Sequence, residues 1–109
     1  MTIEFFTTAG KVTESMVSVT RNEMLRLSHI NKDISRAEVI LKEEEIIELE
    51  NKVCEIRLSI YGNNLMSYSR TDKFEKSIKE AIKELKKMVK RQVKEKKMPR
   101  DEMTTTVKV

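Results

Sequence analysis

Residues 72–97 restrict the fold of this chain more than any other segment, because they predict one long helix with two opposite faces. At about 100° per residue, one face is apolar and the other is almost entirely lysine. The apolar face comprises Phe74, Ile78, Ala81, Ile82, Leu85, Met88, Val89 and Gln92. The basic face comprises Lys76, Lys79, Lys83, Lys86, Lys87, Lys90 and Lys94. The apolar face requires a partner inside the protein, whereas the basic face requires water or a polyanion outside it.

Four segments in which apolar and polar residues alternate predict β-strands. They are residues 2–7, 35–42, 53–61 and 65–70. Gly62 and the two asparagines that follow it tolerate positive φ angles, so they predict a tight turn between the last two strands. The acidic connection at residues 43–52 contains Ile46, Ile47 and Leu49, and its pattern fits either an extended hairpin or a helical turn.

A second, shorter helix is predicted between the first two strands. Thr13 is its candidate N-cap, and the helix is expected to extend to about residue 28. Its predicted inward-facing residues are Met16, Val17, Val19, Thr20, Met24 and Leu27. Asp72 and Glu75 predict a capping box for the long helix. The order β-α-β-β-β-α therefore predicts an α/β (α+β) two-layer sandwich, in which both helices cover one face of a four-stranded sheet.

The length of 109 residues predicts one domain. This domain is expected to span residues 1–97, and residues 98–109 are expected to form a flexible tail. The N-terminus lacks the pattern of a secretory signal, and no window approaches the ~18 apolar residues that span a bilayer. Cys54, the single cysteine, is predicted to be a buried and reduced thiol. These features predict a cytoplasmic protein without a membrane partner.

The net charge of +4 is unevenly distributed along the chain. Residues 32–51 contain seven acidic and three basic residues, whereas residues 83–97 contain eight basic and two acidic residues. Lysines that are three or four positions apart on a helix repel one another, and an external polyanion would relieve that cost. Arg26 on the first helix and Arg70 before the second are predicted to extend this basic surface. The charge pattern therefore favours binding to a polyanion.

Catalytic and metal sites have little support in the sequence. His29 and Cys54 are the only residues of their kinds, and no phosphate-binding loop or metal-ligand spacing occurs. We therefore expect neither enzymatic activity nor a cofactor. Because tryptophan is absent and other aromatic residues are few, the chain favours shape and phosphate recognition of structured RNA over stacking on unpaired bases. The alternative is a basic interaction module that docks on an acidic protein partner.

Several of these segments also resemble those of a known family. The similar positions are Val12, Thr13 and Glu14, the strand at residues 52–60, the turn at Gly62, Asn63 and Asn64, and the helix residues Phe74, Glu75, Lys76, Ser77, Ile78, Ala81, Ile82, Leu85 and Lys87. Over residues 2–97 the chain resembles the ribosome hibernation promoting factors and ribosome-associated inhibitors. The resemblance implies a β-α-β-β-β-α fold similar to a double-stranded-RNA-binding domain.

This resemblance implies a protein of stress or stationary phase that binds the small ribosomal subunit and its rRNA. It would lie in the channel for mRNA and tRNA, between head and body, and inhibit translation by occupying that channel. Together with the charge pattern, it predicts rRNA contacts from Arg26, Arg70, Lys79, Lys83, Lys86, Lys87, Lys90, Arg91 and Lys94. No DNA partner is expected.

The length also bears on which form of the family the chain resembles. The family's long form carries a C-terminal dimerisation domain that bridges two ribosomes, and 109 residues leave no room for it. We therefore expect a short form that does not pair ribosomes through such a domain. The tail, with only Asp101 and Glu102 as acidic residues, is unlike the long acidic extension of the ribosome-associated inhibitor branch. The branch, and the storage of ribosomes as singles or pairs, stay open at this point.

Overall fold

The structure, a computed structural model, describes residues 1–8, 10, 12–45 and 49–97. Its elements are β1 (Thr2–Thr7), α1 (Glu14–Ile30), β2 (Ile34–Glu43), β3 (Lys52–Ile60), β4 (Leu65–Thr71) and α2 (Phe74–Lys97). This order confirms the predicted β-α-β-β-β-α arrangement. The predicted tail at residues 98–109 lies outside the described residues.

The four strands form one mixed sheet in the order β1-β2-β3-β4. Strands β1 and β2 are parallel, and α1 supplies the crossover that a parallel pair requires. The other two pairs are antiparallel hairpins. Because side chains alternate between the faces of a strand, the register aligns residues in rows across the sheet. One such row on the helix-facing side is Phe5, Val39, Ile56 and Ser67.

A single hydrophobic core lies between this sheet and both helices, which confirms the predicted two-layer sandwich. From the sheet it contains Ile34, Ala37, Val39, Leu41, Cys54, Ile56, Leu58 and Ile60. From the helices it contains Met24, Leu27, Phe74, Ile78, Ala81, Ile82, Leu85 and Val89. The predicted apolar face of α2 is therefore buried, apart from Met88 and Gln92, which are partly buried. The inward orientation predicted for Val19 is wrong, since this residue is 54% exposed.

The two helices begin in different ways. Thr13 caps α1, since its side chain accepts a hydrogen bond from the backbone N–H of Met16. At α2, the carbonyl of Lys73 accepts the first helical hydrogen bond, from Ser77 N. The Asp72 carboxylate lies 3.4 Å from Lys76 Nζ and pairs with that charge. The predicted capping box is therefore wrong, because the helix starts one residue later than that motif requires.

A buried hydroxyl attaches the first turns of α2 to the sheet. Ser77 is fully buried; its Oγ donates to the Lys52 carbonyl at 2.6 Å and accepts from Thr71 N at 3.1 Å. One turn further along α2, the Glu80 carboxylate accepts from Ser69 Oγ at 2.9 Å. These bonds satisfy backbone and side-chain groups at the start of β3 and the end of β4. They therefore fix how α2 is rotated about its axis.

Gln92 attaches the last turns of α2 to two loops. Its Oε1 accepts from Asn31 Nδ2 at 3.0 Å, and its Nε2 donates to the Asn63 carbonyl at 2.9 Å. Asn31 follows α1, and Asn63 lies in the turn between β3 and β4. The polar residue at the end of the apolar face therefore joins three elements that are distant in the sequence.

The two hairpin connections differ in how they are stabilised. Gly62 has a φ angle of 93°, which glycine adopts without strain, and Asn63 N donates to the Ile60 carbonyl at 3.1 Å, so the predicted tight turn between the last two strands is confirmed. In the acidic connection, Glu44 N donates to the Asn51 carbonyl at 2.9 Å, one step beyond the paired strands. Of the two alternatives for this connection, an extended hairpin or a helical turn, the bond supports the extended hairpin. Ile46, Ile47 and Glu48 lie outside the described residues, and Leu49 is exposed.

We expect Ser77→Ala to destabilise the fold, because the substitution leaves the Lys52 carbonyl and Thr71 N–H buried without this partner. The expected loss is about 1–3 kcal/mol in the free energy of unfolding, measured by urea denaturation. Ser18→Ala, at an exposed position of α1, is the matched control and should change this free energy by less than about 0.5 kcal/mol. Equal stability of the two variants would contradict the attachment of α2 through Ser77.

Candidate nucleic-acid interface

A groove with a volume of about 960 Å³ runs between α1 and α2 on the side away from the sheet. Helix α1 contributes Met16, Val19 and Glu23, and Ser15 and Thr13 lie near its start. Helix α2 contributes Ile78 and Ile82, together with Glu75 near its start. The remaining lining residues are Lys73, Lys76, Lys79, Lys83, Lys86, Lys87 and Lys90. We call this feature the interhelical groove; Val19 is exposed because it lies in it.

The lysines reach the interhelical groove because α2 buries its opposite face. With its apolar stripe against the sheet, a helix of 3.6 residues per turn must direct the intervening positions outward. Five of the predicted rRNA-binding residues are brought together in this way: Lys79, Lys83, Lys86, Lys87 and Lys90. Arg91 and Lys94 are exposed on the same helix but do not line the groove.

Most of these lysines lack an acidic partner, whereas Arg36 and Arg57 on the sheet each have one. Arg57 Nε lies 2.6 Å from the Glu55 carboxylate, and Arg36 pairs with both Glu4 and Glu38. Within the described residues, Lys79, Lys83, Lys87 and Lys90 have no carboxylate within 4.0 Å of their ammonium groups. Four uncompensated positive charges therefore lie together in the groove.

One acidic residue interrupts the basic surface, and it comes from the neighbouring helix. Glu23 Oε1 of α1 lies 2.8 Å from Lys86 Nζ of α2, and Glu23 Oε2 lies 3.5 Å from Arg26 Nη1. The sequence pattern of α2 alone contains no acid at the centre of its basic face, so it does not predict this contact. The spacing of Glu23 and Arg26 on α1 indicates their pairing, but only the packing of the helices adds Lys86.

Arg70 does not extend the basic surface, which corrects that part of the prediction. Its neighbours Ser69 and Thr71 are buried and contact α2, so strand alternation directs Arg70 to the opposite, open face of the sheet. The sequence predicted correctly that Arg70 lies at the end of the fourth strand, but it did not predict which face of the sheet this residue occupies.

Two groove lysines were missed as site residues. Lys73 and Lys76 line the groove near the start of α2, where Lys76 also pairs with Asp72. Lys73, Lys76 and Lys79 follow one another at intervals of three residues, which continues the basic face toward the N-terminus, and this interval was the available signal.

The described residues offer other chemistry little support. Among them, no group of three or more His, Cys, Asp or Glu side chains could hold a metal ion. Burial, and secondarily the charge of Glu55, raise the pKa of the Cys54 thiol to about 12, so this cysteine is neutral at physiological pH. Over the same described residues, neither helix is long and apolar enough to cross a membrane. The groove's lysines remain the candidate functional groups, since they can supply charge-assisted hydrogen bonds to an anion.

The chain is therefore a small two-layer α+β domain with a lysine-lined groove between its two helices. Residues 6–97 match the family model described as Sigma 54 modulation protein / S30EA ribosomal protein. The match extends from the end of β1 to the end of α2, so the chain belongs to this family. Family membership confirms the resemblance to ribosome hibernation factors that the sequence indicated.

Two solved structures share the fold. A ribosomal subunit interface protein from Coxiella burnetii superimposes with a TM-score of 0.69 at 14% identity, covering 91% of this chain and 100% of that one. The N-terminal domain of Protein Y from Thermus thermophilus superimposes with a TM-score of 0.68 at 18% identity, covering 84% of this chain and 98% of that one. A search of the curated proteins found no match.

We expect Lys90→Gln to stabilise the isolated protein slightly, because Lys90 has only like charges, Lys86, Lys87 and Lys94, among its charged neighbours three or four positions away. The expected gain is about 0.2–0.5 kcal/mol in the free energy of unfolding at low salt, and it should shrink as salt screens the repulsion. Urea denaturation at two salt concentrations measures it. Lys76→Gln, which loses the pair with Asp72, should show no gain, and a loss of stability in Lys90→Gln would contradict the repulsion.

Proposed function

We propose that this protein is a non-enzymatic ribosome hibernation factor that binds the small ribosomal subunit through rRNA phosphates. The observation that carries the proposal is the family match over residues 6–97, which includes both helices of the lysine-lined groove. Membership of a ribosome-associated family implies a ribosomal partner and a cytoplasmic location. The uncompensated lysines supply the physical means of holding an RNA backbone.

The charge arrangement suits rRNA because phosphate contacts give affinity and orientation without requiring base recognition. Each lysine that neutralises a phosphate releases a condensed counterion, so affinity should fall steeply as salt rises. The exposed aromatic residues Phe6, Tyr61 and Tyr68 do not line the groove, and stacking on unpaired bases is therefore not part of the proposed contact. Structured rRNA with closely spaced phosphates is the favoured target.

In the proposed mechanism, the bound domain inhibits translation by occupying the channel that mRNA and tRNA use. This step needs no chemical reaction, since a folded domain held by several phosphate contacts excludes other ligands from the same space. Lys79, Lys83, Lys86, Lys87 and Lys90 would hold rRNA in the groove, with Arg26, Arg91 and Lys94 at its margins. The proposed setting is stress or stationary phase, when idle ribosomes accumulate.

We expect Lys83→Glu and Lys87→Glu to weaken binding to purified small subunits by about tenfold or more each, because a phosphate contact becomes a repulsion. Co-sedimentation through a sucrose cushion at several salt concentrations measures the affinity. The salt dependence should also become shallower, by about one in the logarithmic slope per lost contact.

Lys42→Glu is the matched control, since it makes the same charge change at an exposed position on the open face of the sheet. Its binding should stay within about twofold of the natural protein. All three variants should unfold cooperatively in urea, and the two groove variants should be no less stable than the natural protein, because they remove repulsion between lysines. Binding that is unaffected by Lys83→Glu and Lys87→Glu would overturn the assignment of the groove. Arg70→Glu tests separately whether the open face also contacts rRNA.

A basic module for an acidic protein partner is the competing function. Extracts in which the protein is captured with and without ribonuclease treatment separate the two possibilities. The ribosomal proposal expects that nuclease removes ribosomal components from the captured material. A nuclease-resistant acidic protein, captured through the same lysines in the absence of ribosomes, would favour the alternative.

A further inference from the structure

Two cations from different helices converge on one carboxylate in the interhelical groove. Lys86 from α2 and Arg26 from α1 lie on the two oxygens of Glu23, at 2.8 Å and 3.5 Å. The Glu23 side chain is only 19% exposed, whereas those of Lys86 and Arg26 are 37% and 72% exposed. The anion is therefore held inside the groove, and its two partners remain accessible to solvent.

The position of Glu23 differs from that of the other acidic residue in the groove. Glu75 lies in the first turn of α2, where a negative charge is favoured by the helix dipole. Glu23 lies in the tenth position of α1, away from the helix start, in the groove that Lys79, Lys83 and Lys90 also line. Its carboxylate is paired instead with one cation from each helix.

We propose that this site is a phosphate subsite, and that Glu23 is its internal occupant and competitor in the free protein. Carboxylates and phosphates bind lysine and arginine through the same charge-assisted hydrogen bonds. A phosphate that takes the place of the carboxylate draws Lys86 and Arg26 away from Glu23, and the carboxylate then stays near the arriving anion. Glu23 therefore lowers the affinity for polyanions. The inference deepens the proposed function, since rRNA is the polyanion considered there.

Ion pairs with this degree of exposure are weak, so a multivalent anion can displace them. Competition from a single carboxylate of this kind should reduce the affinity for a polyanion only a few-fold. The competition also affects salt dependence, because Lys86 and Arg26 exchange a protein carboxylate rather than dissolved ions when the phosphate arrives. Removing the carboxylate should therefore make binding both tighter and more dependent on salt.

Glu23→Gln tests this proposal with inorganic polyphosphate as the probe, measured by titration at several salt concentrations. We expect affinity to rise about two- to fivefold at low salt, with a steeper logarithmic salt slope. Glu84→Gln is the control, because it removes the same charge from an exposed position of α2 that does not line the groove. The affinity of Glu84→Gln for polyphosphate should rise clearly less than that of Glu23→Gln. An equal rise in the affinity of both variants would mean that only the net charge of the protein matters, and it would overturn the proposal.

The sign of the change separates competition from positioning. If Glu23 instead orients Lys86 for binding, Glu23→Gln lowers the affinity, and the proposal is wrong. Lys86→Met in each background gives the second readout. Competition predicts a small loss of affinity in the natural protein and a larger loss in the Glu23→Gln background, where Lys86 is released. Equal losses in the two backgrounds would also overturn competition between Glu23 and phosphate for Lys86.

Co-sedimentation of the same variants with small subunits distinguishes this inference from the proposed function. If Glu23→Gln binds polyphosphate more tightly but neither it nor the natural protein binds subunits, the phosphate subsite stands and the ribosomal function fails. If the natural protein binds subunits and Glu23→Gln gains no affinity for polyphosphate, the subsite proposal alone fails.

Discussion

Burial of the apolar face of α2 is the constraint on which the rest of this molecule depends. Leu85, Ala81 and Val89 are fully buried against the sheet, so the lysines between them must lie outside the core. Ser77 and Gln92 then fix the rotation of the helix through hydrogen bonds to β3, β4 and two loops. The same packing that closes a small core thereby presents a row of cations beside α1.

The two faces of the domain handle charge differently, and this difference points to function. On the open face of the sheet, Arg36 and Arg57 pair with nearby carboxylates, which lowers the net field around them. In the groove, within the part of the chain that the structure describes, only Lys86 and Lys76 have an acidic partner. Repulsion among the others costs the free protein a few tenths of a kcal/mol per pair. In the proposed function a bound polyanion removes that cost, so the arrangement would trade stability for binding.

Much of the architecture could be predicted because its signals are local. The stripe of α2, the cap at Thr13 and the turn at Gly62 each depend on residues that are close in sequence, and all three are confirmed. Predictions were wrong where a local pattern had more than one outcome. Thr71 and Ser77 set the start of α2 instead of the capping box, and Val19 lies in the groove rather than in the core.

The candidate site likewise has some features that the sequence predicts and others that only the packing of the elements decides. The sequence alone determined that a basic face must exist and which lysines form it, because helical periodicity assigns residues to faces without reference to the rest of the fold. Only the tertiary structure decided that Arg70 lies on the other side of the sheet and that Glu23 contacts Lys86. Those facts depend on how elements separated by tens of residues pack together. Periodicity within one element carries no information about its neighbour, so the acid within the basic groove becomes visible only in the folded molecule.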